Sequence, residues 1–285
     1  MLKDITLGQY FPGTSPLHRM DPRSKLLILV LYIVTIFICG SLLPFVLCAL
    51  GLLAAIKVSQ ISPKLILKSL KPIVIIVIFT GVLNILYTPG EVLVKLWIFQ
   101  ITVEGIKTAA VMITRILLLV ASTSLLTYTT SPMALTDALE NLLAPLKKIK
   151  VPVHEFAMMM SIALRFIPTL IEETDKIMSA QKARGADFES GNLLQRAKAL
   201  VPVLVPLFIS AFRRADELAC AMECRLYHGG ANRTRLHSLK YGKIDALGGL
   251  VAVLICSAAI LLNVFSAGIG FLLSNLLETV QQLLL

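Results

Sequence analysis

Long uncharged apolar runs alternate with short basic links along most of this chain. The first run covers 26–43 (LLILVLYIVTIFICGSLL). A short uncharged link around Gly40–Pro44 joins it to a second over 43–56 (LPFVLCALGLLAAI). A third covers 72–87, a fourth 106–128 and a fifth 244–265. About 17–25 mainly apolar residues cross a bilayer as helix. The pattern therefore predicts an all-α polytopic membrane protein with about five transmembrane helices. The third run is short for a full crossing, and Gly81 and Asn84 interrupt it. The closing stretch GFLLSNLLETVQQLLL is amphipathic, and its polar Asn275, Glu278, Gln281 and Gln282 favour an interfacial helix over a sixth span.

Between the fourth and fifth runs the pattern changes. Residues 130–243 are too many for a loop and too apolar for a disordered linker, so they read as a helical region. This divides the chain into 1–129, 130–243 and 244–285. In TTSPMALTDALENLLAPLKKIK, Ser131 suits an N-cap and Pro132 the first helical position. Leu135, Leu139, Leu142, Leu146 and Ile149 form one apolar stripe, which Pro145 kinks or ends. A second helix is expected from about 153 to 184, bent at Pro168 and capped by Gly185. A third is expected from about 193 to 227, broken near Pro202 and Pro206 and stopped by Gly229–Gly230. Both long helices start greasy and end polar.

Charge orients this arrangement. Residues 57–71 carry Lys57, Lys64, Lys68 and Lys71 with no acid, and 147–243 carry sixteen Lys/Arg against nine Asp/Glu. The link 88–107 is balanced, and the tail after Phe265 has no base. Lys and Arg concentrate on the cytoplasmic side. The N-terminus and the 130–243 region are therefore expected in the cytoplasm and the C-terminus outside. With 56% hydrophobic residues and a mean hydropathy of +0.82, the chain is far from a soluble composition. The net charge of +10 reads as orientation signal and contact with anionic lipid, with no nucleic-acid partner implied. The start, MLKDITLGQYFPG, lacks the early apolar core of a cleavable signal peptide. Five scattered cysteines do not suggest a disulfide framework.

Candidate chemistry is sparse. No phosphate-binding loop, dinucleotide fingerprint or hydrolytic His/Asp/Glu cluster is visible, and the spans hold almost no acid. No enzyme, cofactor or metal site is expected. Cys220, Cys224 and His228 recur every four residues, but no second ligand pair lies at suitable spacing. Arg115 sits about ten residues into the fourth run; it faces a protein interior or a partner, in a functional or a structural pairing, or it snorkels to an interface. Two further arginines end the two long helices alike: Arg184 between Ala183 and Gly185, and Arg225 between Cys224 and Leu226. A cation there favours the helix dipole. The planar fork of each also suits docking onto a carboxylate or carbonyls of a partner.

The stretches LHRMDPRSKLL, SLLTYTTSPMALTDALENLLAPLKKI, ALRFIPTLIEETDKIMSAQKARG and FRRADELACAMECRLY, in this order, resemble the transmembrane T component of energy-coupling factor transporters, the EcfT/CbiQ-like family. That resemblance implies a non-catalytic subunit of the plasma membrane. Its two X-Arg-X motifs would be Arg184 and Arg225, each docking into one of two ATP-binding cassette subunits. ATP would be bound by those partners. Here the second motif departs from the usual small flanks, with Cys224 and Leu226. The resemblance also implies a separate integral-membrane substrate-binding component, for a vitamin or metal ion. The greasy first halves of the long helices, with Met159, Leu164, Leu207 and Phe208, are its expected contact. An ordinary ABC permease, a secondary transporter and a membrane scaffold are the competing classes.

Overall fold

The computed structural model describes residues 10–90, 92–96, 99–188, 192–229 and 239–283, with backbone only at 92–96, 99–100, 193 and 267–283. The chain forms two compact units. One contains 132–238; the other contains 9–131 together with 239–285.

The second, framework unit holds the apolar runs. After a single turn, α1 (Pro16–Arg19), come α2 (Pro22–Ile38), α3 (Leu42–Ser59), α4 (Pro63–Leu70), α5 (Val74–Tyr87), α6 (Val103–Thr129) and α10 (Lys243–Leu283). Local chemistry sets the boundaries. Asp21 caps α2, accepting from Arg23 N at 2.9 Å, with Pro22 at the first position. Thr102 caps α6, accepting from Gly105 N at 3.0 Å. The core gathers Ile36, Phe45, Cys48, Leu52, Leu118, Leu125 and Ala259. Small residues let the helices approach: a Cβ on Gly81 of α5 would lie 3.0 Å from Ile113 Cδ1 of α6. Gly81 and Asn84 therefore do not interrupt the third run. Asn84 donates back to Thr80 O at 2.9 Å within an unbroken α5.

Among the described residues six helices are long and apolar enough to cross a membrane, against about five expected. Four lie in this unit: α3, the continuous α4–α5 stretch Pro63–Tyr87, α6 and Lys243–Ser266 of α10. The third run gains its length from the lysine-bearing α4, which the sequence reading treated as a link. The first expected run forms α2, whose 17 residues fall just short of the others. The link 88–107, for which the sequence suggested no element, contains an antiparallel hairpin, β1 (Val92–Leu96) with β2 (Phe99–Thr102). Its run of β-branched residues was too short to stand out beside the helical runs. The tail continues α10 as helix to Leu283.

The other unit contains α7 (Pro132–Leu142), α8 (Val153–Ala183) and α9 (Leu193–Cys224). Helix α7 starts at Pro132 and gives way to 3-10 turns over Ala144–Ile149, where Pro145 falls. Helices α8 and α9, 31 and 32 residues long, are the other two of the six apolar helices. The expected break in α9 does not occur. The helix runs through both Pro202 and Pro206. Proline at 206 removes the donor for the carbonyl four residues earlier. Gln181 Nε2 of α8 donates to that carbonyl, Pro202 O, at 3.3 Å instead. A neighbouring side chain thus replaces the lost bond, and the helix tolerates the ring.

Candidate functional site

Three cross-helix ties define how α8 and α9 run. Gln181 meets Pro202; Arg214 Nη2 donates to Glu173 Oε2 at 2.9 Å; Tyr227 Oη lies 3.4 Å from His154 Nε2. As the α8 number falls the α9 number rises, so the helices are antiparallel along most of their length. The end of α8 therefore lies beside the start of α9. At 1.5 Å per residue, α9 rises about 35 Å from Pro202 to Arg225. Arg184 and Arg225 consequently stand at opposite ends of the pair.

Both ends are built the same way. Arg184 is the C-cap of α8, and Gly185 follows with φ +88. Gly185 N donates to Lys182 O at 3.0 Å and Ala186 N to Gln181 O at 3.0 Å. Arg225 is the C-cap of α9, and Leu226 follows with φ +53. Leu226 N donates to Glu223 O at 2.8 Å and Tyr227 N to Met222 O at 3.0 Å. Each is a Schellman cap, which satisfies the last carbonyls and turns the chain sharply. Ala183, Arg184 and Gly185 are exposed, as are Cys224, Arg225 and Leu226. The cap of α9 closes at Leu226, before the expected stop at Gly229; Gly230 lies outside the described residues. At that end His154 also approaches Glu140 of α7, Nδ1 to Oε1 at 3.0 Å.

Met159 and Phe208 are exposed, and Leu164 and Leu207 are half-buried. The antiparallel pairing separates them. The greasy half of α8 lies beside the polar half of α9, and the reverse holds at the other end. Phe156, Met159 and Met160 thus mark one apolar stretch, and Leu204, Val205, Phe208 and Phe212 another. Cys220 and Cys224 lie exposed on α9, while His228 lies beyond its end, so the three do not share a helix face.

Arg115 belongs to the framework unit. Its Nη2 donates to Cys39 O, the C-cap carbonyl of α2, at 2.9 Å. Its guanidinium carbon lies 5.8 and 5.9 Å from the Phe37 and Phe45 ring centroids. The same turn is held from α10: Gly40 N donates to Asn263 Oδ1 at 3.0 Å, and Asn263 Nδ2 to Ile38 O at 3.2 Å. Arg115 therefore completes a helix end.

A second polar cluster, missed from the sequence, lies at the other end of α2. Lys25 Nζ donates to Thr129 O at 2.9 Å and Thr130 Oγ1 at 3.2 Å. Asp245 accepts from Asp21 N at 2.7 Å and Gly242 N at 2.6 Å. Arg23 pairs with Asp21 at 2.9 Å and lies 4.1 Å above the Tyr241 ring. Burial pushes the Asp21 carboxyl up, but the hydrogen bonds from Arg23 outweigh it and hold the group below the usual carboxylate range. The signal was present: DPRSK places an acid, an arginine and a lysine immediately before an apolar run. Its partners lie 104 to 224 residues away, beyond any local pattern.

A cavity of about 400 Å³ opens among α2, α3, α6 and α10. Its walls, including Leu29, Leu52, Leu125 and Val251, are apolar almost throughout.

These features define a polytopic helical membrane protein that carries two matched basic helix ends. Comparison with known proteins agrees. The CbiQ family, described as "Cobalt transport protein", matches residues 13–236, and the chain belongs to it. It is 53% identical over 263 residues to the energy-coupling factor transporter transmembrane protein EcfT of Ruminiclostridium cellulolyticum, covering 92% of this chain and 98% of that one. It is 54% identical to the protein of that name from Clostridium kluyveri, covering 93% and 99%. With the Bacillus subtilis protein of that name it shares 45% identity, covering 92% and 98%.

Proposed function

We propose that this chain is the transmembrane coupling component of an energy-coupling factor importer. It lies in the plasma membrane with its N-terminus and the 132–238 unit in the cytoplasm. Two ATP-binding cassette subunits bind and hydrolyse ATP, and a separate integral-membrane component binds the substrate, a vitamin or a metal ion. This chain catalyses nothing; it carries motion from the first to the second.

The observation that supports this reading most is the matched pair of tips. An antiparallel helix pair has approximate two-fold symmetry, and so does a dimer of similar subunits. One chain that grips two similar ATPases needs the same feature at two places facing opposite ways. Arg184 and Arg225, on the same cap at opposite ends of α8 and α9, meet that need. The exposed apolar stretches around Met159 and Phe208 suit the substrate-binding component and the bilayer, since surfaces of this kind mark protein or membrane contacts.

The test is co-purification after mild detergent extraction, with uptake measured at equal amounts of inserted protein. The wild-type chain should bring two ATPases and a small membrane protein. Losing one partner of a buried charged pair at an interface costs about 2–5 kcal/mol. Arg184→Glu or Arg225→Glu should therefore weaken ATPase retention, and the double variant should abolish it. Uptake by the double variant at the wild-type level would reject the reading.

A further inference from the structure

The chain leaves the framework unit after Ser131 and returns to it at Leu239, with more than a hundred residues between. The first turn of α2 holds both points. Lys25, 7% exposed, binds the exit through Thr129 O and Thr130 Oγ1. On the return side, Asp245, also 7% exposed, ties Gly242 N to Asp21 N, and Arg23 covers the Tyr241 ring. Three residues in a span of five thus clamp two chain segments that flank residues 132–238 along the chain. Phe11 N adds a bond to Tyr128 O at 3.0 Å, and His18 Nε2 lies 3.0 Å from Phe11 O.

A clamp with this composition is more than packing requires. Apolar residues would bury the same surface without the desolvation cost of an ammonium and two carboxylates. What charged, directional bonds add is a fixed geometry at two boundaries at once. A unit that moves must push against something that does not, and among the described residues the chain enters and leaves the 132–238 stretch next to the two clamped segments.

We propose that Asp21, Arg23, Lys25 and Asp245 are positioning residues for energy coupling. They form the fixed joint through which movement of the 132–238 unit is delivered to α6 and α10. The proposal rests on the coupling function above. With the joint intact, displacement of the inserted unit moves those helices as levers. With it broken, the boundary segments give way and the motion is lost.

The experiment uses the full reconstituted transporter and compares wild type with Lys25→Met, Asp245→Asn and Arg23→Lys. ATP hydrolysis and substrate uptake are measured on the same vesicles. A parallel arm places spin labels at Ser131→Cys and Leu239→Cys in a Cys220→Ser, Cys224→Ser background and reads their distance distribution. The expected result is normal insertion, retained ATPases and continued ATP hydrolysis, with uptake per ATP reduced roughly two- to thirtyfold, the range for residues that modulate coupling. The distance distribution should broaden. Arg23→Lys keeps the cation but loses the fork, so it should show a smaller loss in the same direction. It carries the test if a stronger variant fails to insert. Unchanged uptake per ATP, or hydrolysis and uptake falling together, overturns the proposal. An unbroadened distance distribution shows that the cluster is not a clamp and overturns it as well. A wild-type chain that retains no ATPase rejects the coupling function, and this role with it; the distance arm then still judges the clamp itself.

Discussion

Gly185 and Leu226 occupy the same position in the same motif, one residue past an arginine C-cap and in the left-handed region. Glycine is at ease there. A leucine there costs roughly 1–2 kcal/mol. A Cβ on Gly185 would meet nothing within 4 Å, so the difference between the two sites is one of backbone strain rather than space. The second tip thus adopts the geometry of the first despite its less suitable residue. The departure of Cys224-Arg225-Leu226 from the usual flanks changes its ease of formation, not its shape.

Leu226→Gly should accordingly strengthen the α9 cap. Relief of the strain is partly offset by the greater freedom of glycine in the unfolded chain, about 0.5–1 kcal/mol. The net gain should be below about 1.5 kcal/mol. Gly185→Leu should weaken the α8 cap by the same net amount, up to about 1.5 kcal/mol. Hydrogen exchange at the amides of Tyr227 and Ala186 reads each cap directly. Slower exchange in the first variant and faster exchange in the second are expected; equal rates in all three proteins would refute the strain account.

The tie between Gln181 and Pro202 makes a different prediction. If Gln181 replaces the donor that Pro206 lacks, then Gln181→Leu removes that bond and should cost about 1 kcal/mol. In a Pro206→Ala background the backbone N–H returns, and the same substitution should cost much less. A double-mutant cycle on unfolding in detergent measures the coupling. Additive effects would show that the Gln181 bond does not compensate for the proline.

The two kinds of feature differ in how far they could be read from sequence. Apolar runs and caps are local, so α3, α6, the start of α7 at Pro132 and both arginine tips were legible. Proline was misread in α9 because a local rule counts the lost bond and cannot see Gln181 waiting on another helix. The left-handed Leu226 was hidden because leucine rarely adopts that conformation, so Gly229 drew the stop instead. The clamp around Lys25 and Asp245 was invisible for a simpler reason: its partners come together only when the chain leaves for the inserted unit and returns.

Arg115 gives a third prediction. It donates to the last carbonyl of α2, while its Nε is buried without a hydrogen-bond partner among the described residues. Arg115→Met should expose the α2 end to loss of its cap and cost about 1–3 kcal/mol. Arg115→Lys should recover part of this, since a lysine keeps the charge but loses the fork. Thermal unfolding of the detergent-solubilised protein ranks the three. A methionine variant as stable as wild type but deficient in uptake would make Arg115 a pathway residue instead.

The last prediction concerns orientation. Basic residues crowd the 57–71 link and the 147–243 stretch, while the segment after Phe265 has none, and lysine and arginine favour the cytoplasmic side. The chain carries its own reporters: Cys220 and Cys224 are exposed on α9, and Cys39, Cys48 and Cys256 are buried. A membrane-impermeant maleimide applied to intact cells should therefore leave the wild-type chain unlabelled, and permeabilisation should expose the α9 thiols. An added cysteine at Asn192, on the inserted unit, should behave like them. One at Ser266, near the end of the apolar part of α10, should label without permeabilisation. Labelling of Cys220 or Cys224 from outside would reverse the topology. It would also place Arg184 and Arg225 where no ATP-hydrolysing partner could reach them, so this experiment can refute the coupling function without a single substitution in the tips.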